Sequence, residues 1–179
     1  MQVQSQNLQQ ISVWVVNNMT FAHWDDQENG TMRAGAIRRV SESTNKTWGE
    51  VNATGKDLLS GTFVAINPDG GIKPLEATTE IVHGIIVRGV YGDKCPNGYQ
   101  ADVGHFSHGD EVVALGMDNV TFKRGDRAYV IATGDNAGKV TNVADGNIDL
   151  GYWITEVSAG NNTVAITLAF NQTVSTGGK

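Results

Sequence analysis

The sequence predicts a mainly β protein: a small antiparallel β-barrel, or a compact β-sandwich, with an extended N-terminal arm. Three observations predict it. From Leu58 onward, runs rich in Val, Ile, Thr and Tyr are bounded by Gly, Asn and Asp clusters. Glycine supplies 22 of 179 residues, well above the roughly 7% of ordinary proteins, and many of these glycines fall between the runs. No apolar period of 3.6 persists beyond a turn or two, so amphipathic helices are not indicated.

The arm, residues 1–56, comes first. It holds three of the four tryptophans, Trp14, Trp24 and Trp48. It also holds one apolar run, Ile11-Ser-Val-Trp-Val-Val16, among polar stretches such as Asp25-Asp-Gln-Glu-Asn-Gly30 and Ser41-Glu-Ser-Thr-Asn-Lys46. Large apolar residues spread among long polar stretches cannot build a core alone. They must be buried on something else, either the body of the same chain or pockets of neighbouring subunits. Aromatics and arginine dominate binding hot spots. The candidate partner interface is therefore Trp14, Val15, Phe21, Trp24 and Trp48, with Arg33, Arg38 and Arg39 placed to meet a partner's carboxylates. The run Ile11–Val16 could add as a strand to an exposed sheet edge of a neighbour. One short helix is expected around residues 51–59.

The body, residues 57–179, follows as eight strands: Thr62–Ile66, Val82–Tyr91, Glu111–Leu115, Val120–Phe122, Arg127–Ala132, Lys139–Val143, Asp149–Glu156 and Thr163–Phe170. The last alternates cleanly, with Val164, Ile166, Leu168 and Phe170 on one face. Asn67-Pro-Asp-Gly-Gly71, Gly134-Asp-Asn-Ala-Gly138, Asp145-Gly-Asn147 and Ala159-Gly-Asn-Asn162 are turns that tolerate positive φ. Short strands at this spacing suit a barrel or sandwich. There is also an internal echo. Ser60-Gly-Thr-Phe-Val64, a hairpin, and His83-Gly-Ile-Ile-Val87 are matched by Arg124-Gly-Asp-Arg-Ala-Tyr-Val130, a hairpin, and Leu150-Gly-Tyr-Trp-Ile154. A partial unit opens at His108-Gly-Asp-Glu-Val-Val113. This grammar fits pseudo-symmetric barrel halves, with Gly84 and Gly151 permitting close backbone approach or a bend.

Composition narrows the function. One cysteine cannot form an internal disulfide framework or supply a cysteine-rich zinc site. A net charge of -6, with no basic stripe, argues against a nucleic-acid partner. The N-terminus lacks the basic and apolar regions of a signal peptide, and no stretch reaches the ~18 apolar residues of a membrane span. Seven Asn-x-Thr triplets occur, at Asn18, Asn29, Asn45, Asn52, Asn119, Asn161 and Asn171. They read as the by-product of Asn-rich turns leading into Thr-rich strands, not as glycan acceptors.

Local motifs add little chemistry. Arg124-Gly125-Asp126 reads as a β-turn into the strand at Arg127. His105-Phe-Ser-His108 is a loop pair with Asp102 and Asp110 nearby, and a metal site there is the weaker reading. Cys95 has no identifiable base. The catalytic and phosphate-binding signatures are missing, so no catalytic residue, cofactor or metal is assigned.

Taken in order, Gly61-Thr-Phe-Val64, the Gly-rich hairpin with Pro74, His83-Gly-Ile-Ile-Val87, Gly125-Asp-Arg-Ala-Tyr-Val130, Gly138-Lys-Val-Thr141, Gly151-Tyr152 and Val164-Ala-Ile-Thr-Leu168 carry a resemblance. The stretch Leu58–Phe170 resembles the small β-barrel capsid decoration, or structural cement, proteins of tailed bacteriophages. The resemblance implies a non-enzymatic protein on the outer surface of the virion, made in the host cytoplasm. It implies a homotrimer that binds major capsid protein and holds neighbouring capsid subunits together. The arm lies outside the resemblance. The rival reading is a carbohydrate- or receptor-binding β module, with Tyr91, Tyr99 and His105 as candidate contacts.

Overall fold

The computed structural model describes residues 32–40, 46–158 and 161–168. These form thirteen strands: β1 (Ile37–Arg39), β2 (Thr47–Val51), β3 (Leu58–Leu59), β4 (Phe63–Ile66), β5 (Ile72–Lys73), β6 (Val82–Ile86), β7 (Lys94–Cys95), β8 (Gln100–Gly104), β9 (Glu111–Leu115), β10 (Arg127–Ile131), β11 (Val140–Thr141), β12 (Asn147–Val157) and β13 (Thr163–Leu168). Every paired ladder is antiparallel. The strands make a six-stranded sheet (β1-β9-β13-β12-β10-β11), a five-stranded sheet (β2-β8-β6-β4-β5) and the small pair β3-β7. No helix occurs among the described residues. The mainly β expectation therefore stands, in its sandwich-like form.

The two large sheets repeat one topology. Strands β2, β4, β5, β6 and β8 lie side by side in the order first, fifth, fourth, second, third, and so do β9, β10, β11, β12 and β13. The pairing register shifts inside β4, between Val64 and Ala65, and inside β10, between Ala128 and Val130. In each unit a single bridge joins the residue after the first strand to the third strand: Asn52 to Ile72 and Gly116 to Val140. Each sheet thus curls toward closure without completing a ladder. This is the physical content of the echo between Gly61–Val64 and Gly125–Val130.

Strands β4, β9 and β13 are buried at consecutive positions, with alternate residues entering different cores. Val64, Ile72, Ile86, Ala101 and Val103 form one core, covered by Leu58 and Cys95 of the β3–β7 pair. Their counterparts Ala128, Val140, Ile154, Val164 and Ile166 lie in the larger core, where Phe63, Ala65 and Ile85 from the first sheet join them. Strands β4 and β6 of the first sheet therefore feed both cores and glue the two units together. A third cluster, Met32, Val113 and Ala165, seals the outer side of the six-stranded sheet.

Two glycines are fixed by close approach. A Cβ at Gly84 would lie 2.5 Å from the Gly104 carbonyl oxygen, and one at Gly138 (φ 84°) would lie 2.3 Å from that of Phe63. At both places neighbouring backbones touch.

Several local expectations change. Residues 51–59 do not form a helix. Asn52 turns inward, Gly55 takes φ 79°, and the chain loops back into β3. Val120–Phe122 is not a strand, because Asn119 (φ 63°) makes a turn that drops Phe122 into the core. The run from Val82 is paired only to Ile86, after which the backbone of Arg88 bonds to Gly35. The stretch 92–109, where no strand is predicted, contains β7 and β8. Within residues 1–56, β1 pairs with β9 and β2 pairs with β8, so the described part of that segment shares the two sheets with the rest of the chain.

Candidate partner-binding surfaces

Trp14, Val15, Phe21 and Trp24 lie outside the described residues. The other four predicted contacts fall on different elements. Arg33 sits half-buried just before β1. Arg38 and Arg39 lie on β1, an edge of the six-stranded sheet, and Trp48 lies on β2, an edge of the five-stranded sheet.

Trp48 is 57% exposed, although its ring packs on others. Its centroid is 4.2 Å from that of His105 and 5.7 Å from that of His83, and the two imidazoles are 4.8 Å apart. His83 Nε2 lies 3.3 Å from Glu50 Oε1. Neither ring nitrogen of His105 has a hydrogen-bond partner. Burial pushes its pKa below the ordinary value, and the adjacent His83 pushes the same way. The result is an aromatic platform beside Glu50, on a strand that is the edge of its sheet among the described residues, with burial favouring the neutral form of His105. Sequence spacing missed His83 and Glu50 because they come from separate strands, and only folding stacks them beside Trp48.

The β1 arginines divide their roles. Arg38 Nη1 lies 3.0 Å from Glu111 Oε1 and 2.5 Å from Glu156 Oε2, so it bridges carboxylates within the chain. Arg39 is 74% exposed on its side chain and reaches Glu111 only at 4.0 Å. Beside it opens a cleft of about 610 Å³, with Arg39, Lys123 and Arg124 on its rim and Phe122 and Val157 among its apolar lining.

The Arg-Gly-Asp turn feeds this cleft. Asp126 Oδ2 accepts hydrogen bonds from the Lys123 N–H at 2.9 Å and from Asn142 Nδ2 at 3.2 Å. The carboxylate thus caps its own turn, leaving Lys123 and Arg124 outward and exposed.

The residues named for a sugar site are only partly assembled. Tyr91 and Tyr99 meet edge to face at 5.1 Å, near the almost fully exposed Val90, but His105 packs with Trp48 instead. His108 is exposed and does not share that packing. Among the described residues no three His, Cys, Asp or Glu side chains converge to hold a metal. Cys95 is buried. Burial raises its thiol pKa, as do Asp57 and Asp102, and a protonated thiol is a poor nucleophile. Asn52, one of the Asn-x-Thr asparagines, is wholly buried.

Comparison with known proteins was informative at the level of family and fold. The family model of the XM1 gp53 minor capsid protein matches residues 21–168. A chain from the capsid of Myoviridae phage XM1 has a similar fold, with TM-score 0.57 and 21% identity, over 76% of this chain and 89% of that one. No curated protein matches the sequence.

Proposed function

Because the chain belongs to the XM1 gp53 minor capsid protein family, we propose that it is a non-enzymatic structural component of a phage head. In this reading it decorates the outer capsid surface as a homotrimer and ties neighbouring major capsid subunits together. The family match is the observation that carries the capsid assignment. The decorating role rests on chemistry: a body with net charge -6 suits a solvated particle exterior, and an aromatic-bearing arm suits a grip across subunit boundaries.

The topology supports a place for that grip. In the second unit the first strand, β9, is flanked by β1. Its counterpart β2 has no strand on its outer side among the described residues, and its Trp48 and Val51 are exposed. An open edge with apolar side chains is a template for strand addition. We assign β2, with Trp48 as anchor, to contact with a neighbouring subunit. The Ile11–Val16 run, with Trp14 and Val15, is assigned to the reverse contact on a neighbour's edge. Phe21, Trp24 and Arg33 extend the same interface. Many such contacts around a shell gain by multivalency.

The test is co-sedimentation with capsids lacking the protein. A deletion of residues 1–31 stops short of β1 and is expected to keep the melting curve while losing most particle binding. Trp14→Ala alone should weaken binding about tenfold, the effect of truncating one hot spot. Full-strength binding by the deletion variant would overturn the arm's role. Failure of the intact chain to bind any capsid would overturn the decorating role itself.

A further inference from the structure

The cations of the body are mostly neutralised one by one. Lys46, Lys73, Arg88, Lys94, Arg127 and Lys139 each hold a carboxylate within 3.3 Å. The cleft beside β1 is different. Lys123 and Arg124 have no carboxylate within 4 Å among the described residues, and Arg39 has only the distant Glu111, which Arg38 already engages. Three cations, Arg39, Lys123 and Arg124, line the cleft against two carboxylates, Glu111 and Glu156, and Arg38 already engages both of those carboxylates. In a chain of net charge -6, such a concentration of unmatched positive charge is a receptor for an anionic group.

The chain enters the body at the border of this cleft. The Met32 N–H donates to Ser158 Oγ at 3.3 Å, next to Val157 of the cleft wall. Arg38 Nη1 lies 3.4 Å from Met32 Sδ. Immediately upstream is the run Asp25-Asp26-Gln27-Glu28, with three carboxylates in four residues. At roughly 3.3 Å per extended residue, Glu28 lies within about 13 Å of Met32 and Asp25 within about 23 Å. Tethering at that range gives an effective concentration near millimolar. The family match also begins upstream of this run, at residue 21.

We propose that the cleft formed by Arg39, Lys123 and Arg124 binds the chain's own acidic run Asp25–Glu28. Docking would root the arm on the body at one point and set the direction in which Trp14 and Phe21 leave it. The contact goes beyond the capsid role and can be tested without particles.

The experiment is hydrogen–deuterium exchange of the peptide spanning residues 21–31 in the intact protein. Four forms are compared: wild type, R39E/K123E/R124E, D25K/D26K/E28K, and the six-fold combination that swaps the charges. Docking predicts protection in wild type that weakens in 0.5 M salt. Exchange should be about tenfold faster in either single-sided variant and return toward wild type in the swap. The rim residues are exposed, so folding should survive, and a melting curve checks this. If R39E/K123E/R124E destabilises the body, K123E/R124E replaces it. Identical exchange in wild type and the rim variant overturns the proposal, as does a swap that restores nothing. Protection that grows with protein concentration also overturns it, because the run would then be docking on a second copy.

Discussion

Asn52 has no exposed surface, and its side chain joins three stretches of backbone. Its Nδ2 donates to the Lys56 carbonyl at 2.9 Å and to the Cys95 carbonyl at 3.0 Å, while its Oδ1 accepts from Thr54 Oγ1 at 2.7 Å. It thereby fixes the turn after β2, ties β7 to that turn, and marks the bridge to β5 that curls the first sheet. Asn52→Ala strands buried carbonyls without donors, which costs about 2–3 kcal/mol. Urea unfolding should show that loss, and a change below about 0.5 kcal/mol would mean water replaces the bonds at little cost. From the sequence Asn52 was visible only as part of an Asn-x-Thr triplet. Its partner carbonyl on Cys95 lies 43 residues away, a separation no local pattern reports.

At the scale of elements, β1 is the instructive case. It is three residues long and, among the described residues, pairs only with β9, too little ladder to hold a strand alone. Arg38 supplies the rest by bridging Glu111 on β9 and Glu156 on β12, with Met32 beneath it. The Glu111 side chain is only 7% exposed, so its charge needs a counterion. Arg38→Ala is expected to cost about 2–3 kcal/mol, below the 3–5 of a fully buried pair because Arg38 is partly solvated. Exchange of the Gly35 and Val113 amides, which bond across β1 and β9, should speed up most. Adding Glu111→Gln should recover a large share of the loss, since a neutral amide needs no cation. If the double variant is as unstable as the single one, charge neutralisation is not what anchors β1. The doublet Arg38-Arg39 was legible as a candidate contact, but which arginine faces inward depends on the register with β9.

For the whole molecule, acid should be destabilising for additive reasons. The folded pKa of His105 lies below the ordinary value because of burial and the neighbouring His83. Between that pKa and about 6.5, the unfolded chain binds more protons than the folded one. This contribution is complete above about pH 6.5 and is lost as pH falls through the folded pKa. Asp57 is held low by its hydrogen bond from Lys94, and Asp118 by those from Asn162 and Lys139. Both contributions vanish as pH falls below the ordinary carboxylate range, so the two effects have the same sign. The melting temperature should be lower at pH 5 than at pH 7.5, with His105 supplying the loss in that interval and the carboxylates adding theirs only in stronger acid. His105→Phe should flatten that interval. A melting temperature that does not change across it would show that His105 is not held neutral.

The sequence by itself determined the fold class, because strand periodicity and glycine placement are local properties. Glu111–Leu115 forms β9 as expected, Val164 and Ile166 are fully buried although Ala165 between them is buried as well, and the Gly61 and Gly125 entries mark the matching strands of two units. It also pointed to a capsid family through the ordered run of those same segments. Only the tertiary structure decided which residues share a surface. Trp48 meets His83 and His105, and Arg39 shares a cleft with Lys123 and Arg124, across gaps of 35 to 85 positions. Such pairings are set by sheet order and register, which depend on the summed burial of the two cores and not on any short stretch of chain.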